Sequence, residues 1–319
     1  MIKQWRLDTN NQSLVLSSSG NRLPCVIYWG KSLPSHESPD EMIEASKKDW
    51  GDNLIDLVPE LSILPEQSAN FSGQLGSKMR DINGQLLSSS FVFHSDKVSA
   101  NSLTLIYKDK ELGLTYTAKI DSMEEHDVFA LEAKIESKNP IIMEWLSAPV
   151  IEASQNSNEI VGYGGHWGGE FRRQTTPWVT GTHLRESRVG TTSHAHFPGL
   201  LIPASGSSEN SGSCYGFHYG WSGGHRMVAE QLQDGRKQIQ FGHTENSELS
   251  PGKSFETAKL YITHSGDGAG GVGRTFRAFV SNFLVDLPKD SIRPVHYNCW
   301  EAVYFDHNIE ELKEIATIA

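Results

Sequence analysis

Cysteine is scarce in this sequence, and long hydrophobic runs are missing from it. Cys25, Cys214 and Cys299 are scattered over 319 residues, too few and too far apart for a disulfide framework or a paired zinc-binding motif. No apolar run approaches the roughly 18–20 residues needed to span a bilayer. The N-terminus "MIKQWRLDTNNQ" lacks the apolar segment of a signal peptide. These absences predict a cytoplasmic protein without a membrane partner.

Positive charge is also in short supply. Lys and Arg number 28 against 39 Asp and Glu, which gives a net charge of −11. Nucleic-acid-binding proteins carry a basic footprint, so this balance argues against a nucleic-acid partner. The Gly-rich stretch "GDGAGGVG" at 266–273 is not followed by the Lys-Ser or Lys-Thr pair of a phosphate-binding loop. The sequence therefore argues against a nucleotide-binding site of that kind.

Short β-branched or alternating runs dominate the first 265 residues. Turn-forming residues separate these runs, since the chain has 29 glycines. Many short strands with turns between them are typical of an all-β sandwich or barrel. We predict strands at 13–19, 25–30, 90–95, 103–109, 114–121, 127–137, 215–221, 237–243 and 259–265.

The apolar period changes near the end of the chain. In "GVGRTFRAFVSNFLV", Val272, Phe276, Phe279, Val280 and Phe283 recur at helical spacing and predict a helix. A linker at 286–293 follows, and then a strand at 295–299. Asn308 is a good N-cap for a second amphipathic helix, with Glu311 three residues on. A single strand–helix unit cannot bury both faces of its strand, so we expect the chain to be part of a longer protein.

Two stretches are unusually rich in aromatic, His and Gly residues, at 162–199 and 214–227. Glycine lets a backbone pass close to a ligand, and an indole face can cover the apolar face of a sugar. Trp167, in "HWGG", is the clearest case. A Trp beside glycines can also be packed in a tight β corner, and the residues alone favour that interpretation.

Histidines in the first stretch raise the possibility of a metal site. His194 and His196 in "SHAHF" would face one side of a strand, and a cupin-like site could be built from such imidazoles. However, no carboxylate cluster accompanies them in the sequence. Glu301 and Asp306 follow the predicted last strand, where barrel enzymes gather active-site residues, but for these two we favour structural hydrogen bonds in the loop.

The run "NCWEAVYFDHNIEELKEIA" at 298–316 closely resembles the first barrel strand and helix of family 36 glycoside hydrolases, the α-galactosidases. Members of that family commonly show N-x-W-E-A-x-Y-F-D-x-N-E-E here. "HWGGEFRRQ" with "ESRVGTTSH" resembles the family's W-G-R-E and E-S-R-x-G-x-S-S-H segments, and "YGFHYGWSG" resembles its Y-G-F-x-x-x-Y-S-G strand. The resemblance runs from about residue 20 to the end and is strongest from 162 onward.

The resemblance implies a mainly β fold, a galactose-mutarotase-like β-supersandwich over 1–285, with the incomplete start of a (β/α)8 barrel over 294–319. It implies retaining hydrolysis of terminal α-galactosides such as melibiose and raffinose. Two carboxylates about 5–5.5 Å apart perform that reaction, so no cofactor or metal is expected. In the family both are Asp residues of later barrel strands, so this chain is expected to hold no catalytic residue and to be inactive alone.

Two residues inherit a substrate-binding role from the resemblance. Trp300 matches a Trp after the first barrel strand that lines the galactose pocket. Trp167 matches an N-domain Trp that reaches toward a substrate site, often across a subunit interface, which implies a homo-oligomer. An acidic residue somewhere in 40–53 is expected beside it. A non-catalytic sugar-binding β-sandwich, and less so a cupin-like metalloprotein, stay open as alternatives.

Overall fold

A computed structural model of the chain describes residues 2–46, 59–192, 194–286 and 292–318. Its strands are β1 Ile2–Asp8, β2 Gln12–Ser19, β3 Cys25–Lys31, β4 Ser77–Asp81, β5 Leu86–Leu87, β6 Val92–Val98, β7 Ser102–Asp109, β8 Leu114–Met123, β9 Val128–Leu146, β10 Ile151–Glu152, β11 Glu159–His166, β12 Gly169–Pro177, β13 Gly181–Ser187, β14 Gly199–Pro203, β15 Cys214–Tyr219, β16 His225–Gln231, β17 Lys237–His243, β18 Glu248–Glu256 and β19 Leu260–Ser265. Its helices are α1 Pro39–Ser46, α2 Gly268–Phe279, α3 Trp300–Val303 and α4 Ile309–Ile318, with 3₁₀ turns at Gln67–Ala69 and Glu124–His126 and a π turn at Val280–Leu284.

The strands predicted from alternation are present. In β7 every second side chain is buried, including Leu103, Leu105 and Tyr107, and the same pattern recurs in β8. Tyr107 and Tyr116 are directly opposite each other in the β7–β8 pair and are fully buried. A period of two places one face of the strand in the core, which confirms the mainly β class.

The described strands form three sheets in the unit that ends at Val280. A three-stranded sheet has the order β1-β2-β3, and a four-stranded sheet has the order β10-β17-β16-β13. The largest sheet follows β12-β11-β14-β15-β19-β9-β8-β7-β6, with β4 and β18 also paired to β9 and β5 paired to β4. One hydrophobic cluster draws on all three sheets, for example through Leu14, Tyr219 and Ile239, so the architecture is a β sandwich.

Helix α2 confirms the helix predicted from the 272–283 pattern. Val272 and Phe279 are buried on its inner face. Gly216 of β15 allows the helix to approach the sheet, because a Cβ there would lie 2.8 Å from the Phe276 ring. The helix thus closes one face of the large sheet at β15.

Residues 281–319 form a separate unit. The strand predicted at 295–299 is not formed, because the described residues provide it with no partner; α3 begins directly afterwards at Trp300. Asn308 does act as the predicted N-cap of α4, since its Oδ1 accepts hydrogen bonds from the N–H groups of Glu310 at 2.9 Å and Glu311 at 3.4 Å.

Some predicted features fall outside the described residues. They include 47–53 of the acidic range 40–53 and most of the linker at 286–293, whose boundary stays a prediction. Within 40–46, Asp40 accepts a hydrogen bond of 2.6 Å from the Gln4 side chain. None of the described helices combines the length and hydrophobicity that crossing a bilayer requires.

Candidate functional site

Trp167 lies at the end of the hairpin formed by β11 and β12, where His166 pairs with Gly169. Gly168 takes a positive φ of 76° in the turn, a conformation that favours glycine. The Gly168 N–H donates to Glu170 Oε1 at 2.8 Å, and this hydrogen bond lowers the pKa of Glu170 below its usual value. The indole of Trp167 is 84% exposed. The structure therefore excludes a packed β corner for Trp167 and presents the ring to solvent.

Both stretches singled out in the sequence line the same cleft. The 162–199 stretch contributes Glu170, Phe171, His194 and Phe197, and the 214–227 stretch contributes His218 and Tyr219 through Ser222. The cleft has a volume of about 540 Å³. Its sides combine aromatic rings with a few polar groups, which is the usual composition of a small-molecule site.

A row of rings supports the hairpin side of this cleft. Phe171 stacks on Tyr163 with ring centres 4.7 Å apart and meets Phe197 edge-on at 5.1 Å. Phe197 in turn lies 5.0 Å from the His218 ring. Phe171 has a φ of 54°, rare for an aromatic residue. The ring contacts with Tyr163 and Phe197 accompany this uncommon backbone conformation at the point where Phe171 lines the cleft. Packed aromatic rings therefore form this part of the cleft.

A buried arginine, Arg185, lies close to three histidines. Arg185 is 5% exposed, and its Nη2 donates to the carbonyl of Tyr163 at 3.1 Å and to Gln174 Oε1 at 2.7 Å. Burial first, and the Arg185 charge second, lower the pKa values of His183 and His196. Burial also lowers the pKa of His225, with smaller contributions from His196 and Arg185. These imidazoles are held neutral near pH 7.

The sequence-based metal hypothesis fails in its geometry. His194 and His196 are in a loop rather than a strand, so the expected common face does not exist. His194 lines the cleft, whereas His196 lies close enough to Arg185 for the guanidinium to lower its pKa. Among the described residues, no group of three His, Cys, Asp or Glu side chains has the spacing of metal ligands. The cupin-like alternative has no site there.

Trp300 is the first residue of α3, and its backbone N–H donates to Asn298 Oδ1 at 3.0 Å. The indole is 45% exposed and meets Tyr304 and Phe305 edge-on, at 5.5 and 4.9 Å. Glu301 accepts a hydrogen bond of 3.2 Å from the Tyr304 hydroxyl, the structural role considered for it. Trp300 and Trp167 belong to the two separate units, and their substrate-binding roles stay predictions.

The sequence did not identify every residue of interest around the cleft. Trp221 falls within the second stretch, but its neighbour His243 comes from the end of β17, and the two rings stack with centres 4.5 Å apart. Asn246, with a φ of 60°, follows in the next turn. No local motif marks His243 or Asn246. Only the pairing of β16 with β17, which aligns His225 with His243, brings them to this edge.

Two family models match the chain in succession. The model for the glycosyl hydrolase family 36 N-terminal domain covers residues 22–249, and the model named Melibiase covers residues 254–319. The first alone spans more than half of the chain.

Two curated proteins are similar to this chain over nearly its whole length. An α-galactosidase of Escherichia coli is 28% identical over 323 residues, covering 98% of this chain and 44% of the relative. The α-galactosidase AgaA of Geobacillus stearothermophilus is 29% identical over 356 residues, covering 99% of this chain and 48% of the relative. The chain thus spans about half the length of the curated relatives it matches.

Solved structures show the same fold. The crystal structure of AgaA superposes with a TM-score of 0.86 at 22% identity, covering 98% of this chain and 48% of that chain. The galactosidase domain of the α-galactosidase–sucrose kinase AgaSK gives a TM-score of 0.85 at 20% identity, with 98% and 48% coverage. A variant of AgaA has been solved in complex with raffinose, and another in complex with stachyose.

Proposed function

Since the chain belongs to glycosyl hydrolase family 36, we propose that the whole protein is a retaining α-galactosidase, to which this chain contributes the N-terminal β domain and the start of the catalytic barrel. The match to two family models in succession, over residues 22–249 and 254–319, is the observation that carries the proposal. The curated relatives of E. coli and G. stearothermophilus are both α-galactosidases.

The substrates we propose are terminal α-galactosides of the melibiose and raffinose type. Raffinose and stachyose are the sugars bound in the two AgaA complexes, and AgaA is 29% identical to this chain. Hydrolysis with retention of the anomeric configuration requires one carboxylate as nucleophile and a second as acid and base, about 5–5.5 Å apart. We assign neither role to this chain and expect both from the remainder of the barrel, with no metal or organic cofactor.

Within this chain, Trp167 and Trp300 are proposed to contact the sugar. Galactose has an apolar face formed by C–H groups, and a flat, exposed indole can cover that face. Trp167 is 84% exposed and Trp300 is 45% exposed, so neither ring is committed to the core. The Trp167 hairpin would act across a subunit contact, which requires a homo-oligomer. We place the protein in the cytoplasm, in carbohydrate metabolism.

The first test compares this 319-residue chain with a longer protein that contains it and a complete barrel. We expect the longer protein to release galactose from raffinose and from an aryl α-galactoside, with α-galactose as the first product by NMR. The 319-residue chain should release none above a blank. Turnover by the short chain, or no α-galactoside hydrolysis by the longer protein, would contradict the proposal.

The second test addresses Trp300 in the longer protein. Trp300→Ala should lower kcat/KM at least tenfold while leaving the melting temperature nearly unchanged, because the ring is half exposed. Ile82→Ala is the control, since Ile82 is 62% exposed in the β4–β5 turn of the β domain, and its kcat/KM should match the parent. An unchanged kcat/KM in Trp300→Ala would make this ring structural.

A further inference from the structure

Trp221 is shared by two clefts of the β domain. One is the cleft described above, and the other, of about 520 Å³, is lined by Arg188, Trp221, His243 and the turn from Thr244 to Ser247. Because the same indole lines both, the two clefts meet at Trp221. Together they provide room for a ligand longer than one sugar ring.

The ring of Trp221 is fixed in place before any ligand arrives. It stacks on His243 at an interplanar angle of 27° and stays 42% exposed. The backbone N–H of Trp221 donates to the backbone carbonyl of Tyr219 at 2.8 Å, and the backbone carbonyl of Ser222 accepts from the Thr192 N–H at 3.0 Å, so the loop that carries the indole is held by its main chain. Gly223 permits this arrangement, because a Cβ there would lie 2.5 Å from the indole Nε1. A preorganised aromatic surface loses little entropy on binding.

The charges that line the second cleft are already compensated. Arg188 Nε pairs with Glu186 at 2.6 Å, and Glu245 pairs with both Arg226 and Lys78, the latter at 2.8 Å. An anionic ligand would need a cation that is not so engaged, and the chain has a net charge of −11. In the first cleft the carboxylate of Glu170 would repel an anion, so the two clefts together are suited to a neutral ligand.

Polar groups without charge remain available around the ring. Asn246 and Ser247 are exposed in the second cleft. The Asn246 backbone is held at a φ of 60° by its N–H, which donates to the carbonyl of Glu144 at 2.8 Å. Thr192 and His194 line the first cleft, which contains the same Trp221. An aromatic surface with amide, hydroxyl and imidazole groups around it fits a polyhydroxylated ring.

We propose that the groove centred on Trp221 binds a neutral oligosaccharide, with one sugar ring against the indole and hydroxyl groups at Asn246 and Ser247. The groove is formed by the β domain alone, so this binding does not require the barrel. The choice of a galactose-containing probe rests on the proposed function, whereas the preference for a neutral polyhydroxylated ligand rests on the groove itself.

The test is a titration of the 319-residue chain with raffinose, in which binding is measured by calorimetry and by saturation-transfer NMR. We expect saturable binding with a Kd between about 0.1 and 5 mM, the millimolar range corresponding to modest affinity. Trp221→Ala should weaken binding at least tenfold. Ile82→Ala is the control, because Ile82 is 62% exposed in the β4–β5 turn, outside both clefts; its Kd should be that of the parent.

A second variant guards against a folding defect in Trp221→Ala. Asn246→Gly removes the side chain while tolerating the positive φ, so the turn keeps its shape and raffinose binding should weaken three- to tenfold. Absence of binding by the parent chain at 50 mM raffinose overturns the proposal. Binding that neither Trp221→Ala nor Asn246→Gly weakens also overturns it, since the sugar would then lie elsewhere.

The two proposals fail separately. If the longer protein hydrolyses raffinose but the 319-residue chain does not bind it, the groove inference alone is wrong. If the chain binds raffinose through Trp221 but the longer protein hydrolyses no α-galactoside, the α-galactosidase proposal alone is wrong.

Discussion

Glu66 offers a quantitative test of the packing of the β domain, because its carboxyl group is largely buried. One oxygen, Oε1, accepts hydrogen bonds from the Ser89 hydroxyl and the Phe91 N–H, both at 3.0 Å. Burial outweighs these two bonds, and the nearby Asp109 adds a smaller repulsion, so the pKa of Glu66 rises from its usual 4.5 to about 7. We predict that Glu66→Gln stabilises the protein at alkaline pH and changes its stability much less in acid.

The size of the effect follows from the raised pKa. A folded-state pKa above the unfolded one gives stability that is fully present below about pH 4.5 and is lost as the pH rises through about 7. The full change in unfolding free energy is about 3 kcal/mol, at ~1.4 kcal/mol for each unit by which the pKa is raised. Glutamine does not titrate, and its Oε1 can still accept from Ser89 and Phe91. Relative to the parent, Glu66→Gln should therefore gain roughly 2.5 kcal/mol between pH 5 and pH 8.5.

Urea unfolding followed by circular dichroism, at pH 5 and pH 8.5, measures this difference. Comparing variant and parent at the same pH cancels the other titrating groups. Glu136→Gln is the control, because the Glu136 side chain is 52% exposed; its effect should stay within about 0.5 kcal/mol at both pH values. If Glu66→Gln changes the unfolding free energy equally at both pH values, the raised pKa of a buried Glu66 carboxyl group is refuted.

Two further predictions concern the surroundings of the clefts. The pKa of His225 is lowered by burial, so the stabilising contribution of the neutral imidazole is present above about pH 6.5 and is lost as the pH falls. Between pH 7.5 and 5.5, the His225→Gln variant should therefore lose less unfolding free energy than the parent. The control is His36→Gln, at an exposed position, which should behave like the parent. Gly224→Ala should cost about 1–3 kcal/mol in urea unfolding, because the new Cβ would lie 2.9 Å from the Ser187 carbonyl oxygen. Gly273→Ala, in an open position of α2, should instead stabilise by about 0.5–1 kcal/mol, and equal effects at both glycines would contradict the steric reasoning.

Local periodicity was enough to predict most of the β domain, but not the lengths of its strands. The predicted strand at 127–137 is only the first part of β9, which continues to Leu146. Ser137 pairs with β8, and Ile141 pairs with β4, so Pro140 lies between two sets of partners where its missing N–H costs no ladder bond. From the sequence alone, Pro140 suggests the end of a strand. The pairing with β8 before it and with β4 after it shows that β9 continues through Pro140.

The sequence could predict which stretches contribute to the candidate site, but not that they come together in the fold. The two stretches rich in aromatics, His and Gly could be recognised because they depart from the alternation of the other strands. That they line one cleft depends on the pairing of β14 with β15, which aligns Gly199 with His218. The burial of Glu66 was equally invisible, since its partners Ser89 and Phe91 come from a distant loop.

The difference between 295–299 and α4 shows which predictions depend on distant residues. A helix satisfies its backbone groups within its own segment, so the pattern after Asn308 suffices for α4 to form, even though Ile309 is 64% exposed. A strand requires a neighbour for every N–H and C=O group. The described residues offer none at 295–299, and Val295 is 98% exposed there. Because burial of such side chains is worth roughly 1.5–3 kcal/mol each, we expect these residues to become a strand only where flanking strands and helices cover them, as in a (β/α)8 barrel. Hydrogen exchange at the amides of 295–299 in the longer protein measures this directly: strong protection is expected there and none in the 319-residue chain, and equal exchange in both would contradict the expectation.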